Sequence, residues 1–121
     1  FSYSGIDKNK ILKVSNSVLP KNKAIMEFGL IFVSKKKMTE LNKKYRNKKG
    51  ATNVLSFETK DVVICPKVVA AEAKSYGFTQ KNWMTRLIVH GILHLAGYDH
   101  ETQKEEEEMV TLELRVEKKL G

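Results

Sequence analysis

The stretch TQKNWMTRLIVHGILHLAGYDH, residues 79–100, predicts a long and largely apolar helix. Thr79 or Asn82 is suited to begin it, because short polar side chains accept hydrogen bonds from the first free backbone N–H groups. The sequence then becomes strongly apolar, which indicates a helix packed in the core. Gly97 is expected to end the helix just after Leu95, because glycine readily adopts the left-handed conformation found at helix C-termini.

Shorter patterned segments surround this helix. Apolar runs rich in β-branched residues predict strands, and apolar residues at helical spacing predict helices. Strands are predicted over 27–33, 52–57 and 61–65, the last two as a hairpin, and further helices within 1–20 and over 38–45, 66–76 and 101–120. With no repeat and no linker, we expect one α+β domain spanning residues 1–121.

The composition is that of an ordinary globular protein. Of the 121 residues, 41% are hydrophobic and 30% are charged, and no apolar run approaches the roughly 18 residues of a membrane span. Cys65 is the only cysteine, so an internal disulfide is impossible, and no secretory signal is recognisable. We therefore expect a cytoplasmic protein with no membrane partner.

Positive charge is concentrated in the first hundred residues. Residues 1–100 hold 18 basic and 7 acidic side chains, a net charge of +11, whereas residues 101–121 hold 4 basic and 7 acidic ones, a net charge of −3. A basic body is typical of proteins that bind a polyanion, most often nucleic acid. A generally lysine-rich protein without such a partner explains the charge equally well.

All three histidines of the chain fall within eleven residues. His90 and His94 are four residues apart, so on a helix they lie on one face and can point at a common centre. Gly97 allows the chain to turn back and bring His100 to the same centre. A lone histidine in an apolar helix is usually a core or surface residue, but this spacing strongly favours a metal site. Three imidazoles leave a fourth position for water or substrate, as in catalytic zinc sites.

The spacing of these histidines also matches the metzincin proteases, HExxHxxGxxH. In those enzymes the glutamate after the first histidine is the general base, and this chain has Gly91 there. Peptide hydrolysis by that mechanism would lack its proton acceptor. A metalloprotease is therefore disfavoured, and the sequence identifies no general base.

The segment HGILHLAGYDH, residues 90–100, closely resembles the signature of the YbeY family of bacterial endoribonucleases. Two blocks upstream are also similar, in family order: Tyr45-Arg46 with ATNVLSF at 51–57, and DVVIC at 61–65. The similarity extends over most of the chain from about Val33. Asn53 stands where the family often has aspartate, so we assign it no catalytic role, and Glu58 stands where it often has proline.

The resemblance implies a single-strand-specific, metal-dependent endoribonuclease that matures small-subunit rRNA and removes defective ribosomes. It implies a small mixed sheet packed against helices and one zinc ion per chain, held by His90, His94 and His100. The family's functionally important arginine falls on Arg46. Single-stranded RNA, small-subunit rRNA and the ribosome or its associated proteins are the expected partners, and DNA is not expected.

Arg46 lies in a basic stretch, residues 35–49, with eight Lys or Arg and one acidic residue. An arginine can hold a phosphate through two parallel N–H bonds and steady its developing charge. The alternative is a solvated basic face. The lysines of this stretch are expected to attract RNA collectively, whereas Tyr45 is expected to face the core rather than to stack on a base.

For several other residues the sequence leaves two interpretations open. Asp99 either accepts a proton from a ligand imidazole or caps a turn, and Asp61 either faces a pocket or satisfies turn backbone. Cys65 is expected in the core, although a fourth metal ligand is an alternative. Trp83 is expected in the core, and the acidic run at 105–108 on a solvated face.

A rival hypothesis for the whole protein is a ribosome-associated RNA-binding protein whose metal organises the fold without catalysis.

Overall fold

The computed structural model describes residues 5–121, and the elements in this range form an α+β fold. They comprise helices α1 (Lys8–Val18), α2 (Lys35–Arg46), α3 (Pro66–Tyr76), α4 (Gln80–Leu95) and α5 (Gln103–Leu120), strands β1 (Gly29–Phe32), β2 (Val54–Phe57) and β3 (Asp61–Ile64), and a 3₁₀ turn at Lys21–Lys23. The predicted fold class is confirmed. The first four residues of the predicted domain 1–121 lie outside the described range.

The three strands form a mixed sheet in the order β1-β3-β2. Strand β3 lies in the centre, parallel to β1 and antiparallel to β2, and the predicted hairpin joins β2 to β3. The hairpin turn is closed by the Lys60 N–H, which donates to the Phe57 carbonyl at 2.9 Å. The sheet is therefore small and mixed, as the sequence similarity implied.

The central strand separates two apolar clusters because its side chains alternate between the faces of the sheet. Val62 and Ile64 join the large cluster, to which α4 contributes six buried apolar side chains. Helix α4 packs against α1, α3, α5 and the sheet. Val63 joins the smaller cluster beneath α2, with Met38 and Leu55. Cys65 is fully buried in that second cluster, which is the expected core position.

Polar side chains define where the helices begin. Thr79 caps α4 by accepting a hydrogen bond from the Asn82 N–H at 3.1 Å, so the first of the two predicted starts is the observed one. Thr102 and Glu105 form a reciprocal capping box at the start of α5. The predicted start of α2 near Met38 was too late. The Ser34 hydroxyl accepts from the Lys37 N–H at 3.1 Å and caps the helix, which therefore begins at Lys35.

Two aromatic residues are less buried than the sequence suggested. Tyr45 is 56% exposed, since it lies on the last turn of α2 and packs edge-on against Phe57. The prediction that it faces the core was wrong. Trp83 is half-buried, because it stacks on Phe78, the residue before the helix cap, and forms a hydrophobic staple at the start of α4.

Gly91 marks the closest approach of α4 to the sheet. A Cβ atom at this position would lie 2.7 and 2.9 Å from the two γ-carbons of Val62 and 3.3 Å from the Ser56 hydroxyl. Val62 is fully buried on the central strand and has no room to move aside. Glycine therefore stands here for a steric reason, and a glutamate in the protease position would not fit this fold.

We expect Gly91→Ala to lower the free energy of unfolding. Overpacking costs about 1–3 kcal/mol, which exceeds the roughly 1 kcal/mol by which alanine is favoured over glycine within a helix. Urea denaturation followed by circular dichroism measures the difference. The exposed Asn82→Ala on the same helix is the control and should change stability by less than about 0.5 kcal/mol. A Gly91→Ala protein more stable than the wild type would contradict this packing account.

Candidate metal centre

The three histidines meet where α4 ends. His90 and His94 lie one turn apart on α4, with ring centroids 4.5 Å apart, and His100 lies 5.5 and 5.1 Å from them. Gly97 has a φ of 101° and donates to the His94 carbonyl at 3.0 Å. Tyr98 donates to the Leu93 carbonyl at 3.0 Å, completing a Schellman motif that turns the chain back toward the helix.

The nitrogen atoms of this three-histidine cluster are spaced as metal ligands require. One nitrogen from each ring lies within 4.8 Å of the others, and the Nε2 atoms of His90 and His94 are 3.0 Å apart. Two nitrogens on a tetrahedral zinc ion are separated by about 3.4 Å, given Zn–N bonds of about 2.0–2.1 Å. Small rotations of the rings satisfy this geometry, so the residues fit one metal ion.

Glu113 orients the first of these rings. Its carboxylate lies 2.6 Å from Nδ1 of His90 and is 6% exposed, at the buried face of α5. When Nδ1–H donates to this carboxylate, the lone pair of Nε2 is directed at the other two histidines. Glu113 was not among the site residues predicted from the sequence. Its position between Met109 and Val116, on the apolar face of α5, was the signal, because a carboxylate there must have a partner.

The surroundings of His94 favour its neutral form. Burial lowers the pKa of His94, and the adjacent rings of His90 and His100 lower it further, while a backbone hydrogen bond at Tyr98 and the charge of Asp99 act in the opposite direction. A neutral imidazole at pH 7 has a free lone pair, whereas a protonated one cannot bind a metal. The electrostatics of the cluster therefore favour ligation by His94.

The two uncertain aspartates have local roles. Asp99 accepts a hydrogen bond from the His100 backbone N–H at 2.8 Å, so it caps the turn that presents His100. Asp61 accepts from the Thr59 hydroxyl at 2.8 Å and packs against Gly29, so its carboxylate is bound to a side chain of the hairpin turn. Cys65 lies outside the three-histidine group that could hold a metal ion. The turn-capping alternative therefore fits Asp99, whereas the hydrogen bond of Asp61 is to a side chain of the turn and not to its backbone.

A cleft of about 640 Å³ opens beside the histidines, between the hairpin and the end of α4. We call it the histidine cleft; its lining comprises Arg46, Thr52, Asn53, Val54, Leu55, Ser56, Phe57, Glu58, Lys60, His90, His94, Leu95, Asp99, His100 and Glu101. Arg46, from the last turn of α2, is exposed to solvent and so is free to meet a ligand there. The structure thus brings the four predicted site residues to one cavity.

Asn53 supports one wall of this cleft. Its side chain donates to Glu72 at 2.9 Å, and the same carboxylate oxygen accepts from the Trp83 indole at 3.1 Å. The Asn53 carbonyl also accepts from the Cys65 N–H at 3.0 Å. These bonds tie the loop before β2 to α3 and α4, so Asn53 has a structural role in addition to lining the cleft.

The charged surfaces differ along the chain. The side chains of Lys35, Lys36, Lys37, Lys43, Lys44, Lys48 and Lys49 are all exposed, in agreement with a basic face on and after α2. Most of the acidic run 105–108 is also exposed.

No helix within residues 5–121 combines the length and apolarity needed to cross a bilayer.

Comparison with known proteins identifies relatives of this chain. The family model described as Endoribonuclease YbeY matches residues 4–121. A protein of Coxiella burnetii (strain Dugway 5J108-111), named Endoribonuclease YbeY, is 41% identical over 115 residues, covering 86% of this chain and 74% of its own length. A Bartonella quintana protein of the same name is 37% identical over 125 residues, covering 93% and 79% respectively.

A solved structure has the same fold. The solution structure of TM1509 from Thermotoga maritima superposes with a TM-score of 0.63 at 28% sequence identity, covering 95% of this chain and 85% of that one. The resemblance of the three sequence blocks is thereby confirmed over nearly the whole chain. This chain belongs to the YbeY endoribonuclease family.

Proposed function

We propose that this protein is a metal-dependent endoribonuclease that cuts single-stranded RNA during maturation of small-subunit rRNA and in ribosome quality control. Membership of an endoribonuclease family supports the reaction class. The observation that carries the proposal for this chain is one cleft that combines a three-histidine cluster with Arg46. A phosphodiester requires charge neutralisation and a polarised oxygen, and these groups are suited to provide both.

The proposed cofactor is one zinc ion, held by His90, His94 and His100. Three neutral imidazoles are the donor set of a catalytic zinc site with one open position. A bound ion supplies Lewis acidity and positive charge at the phosphate. Glu113 keeps His90 in the ligating tautomer through its hydrogen bond at 2.6 Å, and Asp99 fixes the backbone of His100 at 2.8 Å.

Arg46 is the proposed catalytic residue. It touches the phosphate rather than the metal, because a guanidinium carries no lone pair for ligation but donates up to two parallel N–H bonds to phosphate oxygens. Its place on the last turn of α2 puts it next to the exposed lysines of that helix. These lysines attract RNA without reading its sequence, since their contacts are with the backbone charge.

The ribosome and its associated proteins are the proposed partners, since the substrate is ribosomal RNA. A cytoplasmic location stays a prediction.

The rival hypothesis, in which the metal organises the fold, requires the histidines to hold the core together. His90 and His94 are only partly buried and His100 is exposed, whereas the apolar core closes around α4 independently of them. This arrangement favours a functional metal over a structural one.

We expect Glu113→Gln to weaken zinc binding by about 10–100-fold, the usual effect of removing a carboxylate that orients a ligating histidine. Glutamine has nearly the same shape as glutamate, but it lacks the negative charge that stabilises the Nδ1–H tautomer of His90. Competition with a chromophoric chelator measures the affinity. Glu106→Gln, at an exposed position on the same helix, is the matched control and should bind zinc like the wild type. Equal affinity in both variants would exclude the proposed role of Glu113.

We expect His94→Ala to lose both bound zinc and RNA cleavage, because the cluster loses a ligand. Arg46→Ala should keep zinc but lower kcat/KM on single-stranded rRNA by about 100-fold or more, the range for removing one donor to a developing charge. Metal content by atomic absorption and cleavage rates with a defined rRNA fragment measure the two effects.

The control for Arg46 is Arg115→Ala, which removes an exposed arginine of α5 outside the cleft and should retain activity. Cleavage at the same rate by wild type, His94→Ala and Arg46→Ala would indicate a contaminating nuclease. The proposed catalysis would then be wrong, and RNA binding without catalysis would become the better hypothesis.

A further inference from the structure

We propose that Lys60 binds a backbone phosphate of the single-stranded RNA in the histidine cleft, as a second cationic contact beside Arg46. The inference rests on the proposed function and identifies a residue of the same cleft that the sequence did not single out. Of the residues that the structure describes, Arg46 and Lys60 are the two Lys or Arg side chains in the cleft lining. They come from separate elements, α2 and the β2–β3 turn.

The backbone of Lys60 is in an unusual conformation. Its φ of 69° lies in the left-handed region, which glycine and asparagine adopt with less strain. Lys60 is the last residue of the three-residue turn between β2 and β3, a position where glycine is the common choice. A long lysine side chain therefore occupies a position that the local backbone favours for glycine. Backbone outliers of this kind are concentrated at functional sites.

The surrounding hydrogen bonds fix the position of this residue. The Lys60 N–H donates to the Phe57 carbonyl at 2.9 Å, and the Lys60 carbonyl accepts from the Gly29 N–H at 2.8 Å. The turn is thus tied to its own strand and to the start of β1. A phosphate contact made from such an anchored position requires little ordering of the backbone on binding.

The side chain of Lys60 extends to the end of α4. Its Nζ lies 3.5 Å from the carbonyl oxygen of Leu95, the residue after His94. That distance is at the limit of a hydrogen bond, so the contact is weak and leaves the ammonium free to bind a stronger acceptor. Lys60 thus shares the cleft with the three histidines, and within residues 5–121 its ammonium forms no ion pair with a carboxylate.

The charge of the cleft shows why a second cation matters. Its lining contains Glu58, Asp99 and Glu101 against Arg46 and Lys60, a formal net charge of −1 when the histidines are neutral. A divalent ion changes this to about +1, whereas the same cleft without Lys60 would be neutral even with the metal. RNA carries one negative charge per nucleotide, so its attraction to this cleft depends on each cation.

Lys60 also lies where the histidine cleft meets a neighbouring hollow. Lys60 and Leu95 line both cavities, and the hollow continues along residues 22–27, where the Lys23 ammonium lies 4.8 Å from the centre of the Tyr98 ring. An RNA strand that extends from the histidine cleft into this hollow would pass this junction. The phosphate bound by Lys60 is accordingly the one next to the metal site along the strand.

The test compares Lys60→Gly, Lys60→Arg and Lys118→Ala with the wild type, all loaded with zinc. Fluorescence anisotropy with a labelled single-stranded RNA, checked for intactness on a gel, gives the Kd at several salt concentrations. Cleavage rates and thermal unfolding are measured in parallel. Glycine suits the left-handed backbone, so Lys60→Gly should unfold at a temperature no lower than the wild type.

We expect Lys60→Gly to bind RNA about 10-fold more weakly and to reduce the slope of log Kd against log salt by about 0.7, the value for one lost phosphate contact on a single strand. Lys60→Arg should stay within about twofold of the wild type, since it keeps the charge. Lys118→Ala, which removes an exposed lysine of α5 outside the cleft, should leave Kd and slope unchanged.

Two results would overturn the role of Lys60. One is a Kd and salt slope of Lys60→Gly equal to those of the wild type. The other is a loss of binding accompanied by a lower unfolding temperature, which would mean that the lysine only stabilises the end of α4. Absence of cleavage by the wild type would count against the proposed function instead, while the anisotropy would still decide whether Lys60 binds RNA.

Discussion

The close packing of α4 on the sheet at Gly91 is the contact on which the rest of this structure depends. Val62 and Ser56 approach α4 so closely that no side chain fits at position 91. This contact fixes the distance of α4 from the sheet and the rotation of the helix about its own axis. His90, the preceding residue, and His94, one turn later, are therefore held at the rim of the histidine cleft, beside strand β2.

A second constraint acts from the opposite side through α5. Most of the buried face of that helix is apolar, and Glu113 interrupts it to reach His90 across the interface. A buried carboxylate requires a partner that offsets its loss of hydration, and the histidine supplies the hydrogen bond. The pairing couples core packing to the direction of a ligating nitrogen. The packing of α4 on the sheet at Gly91 and the contact of Glu113 with His90 thus set both the shape and the chemistry of the site.

Much of this arrangement was predictable because the signals are local. The spacing of the three histidines and the glycine after α4 predicted that they would meet, and residue patterns predicted the hairpin and the α+β class. Glu113 was missed because it is remote in sequence from its partner, by 23 residues. Lys60 was missed because its left-handed backbone depends on the observed turn. Tyr45 was assigned wrongly, since a helical spacing does not specify how far the core extends beneath the last turn of α2.

X-ray absorption at the zinc edge tests the central claim most directly, using protein loaded with one equivalent of zinc. The account predicts nitrogen or oxygen neighbours at about 2.0–2.1 Å, with the more distant scattering expected of three imidazoles and no sulfur. A sulfur neighbour at about 2.3 Å would instead implicate Cys65, the only cysteine of the chain. Fewer than three imidazoles would equally contradict a centre built from His90, His94 and His100.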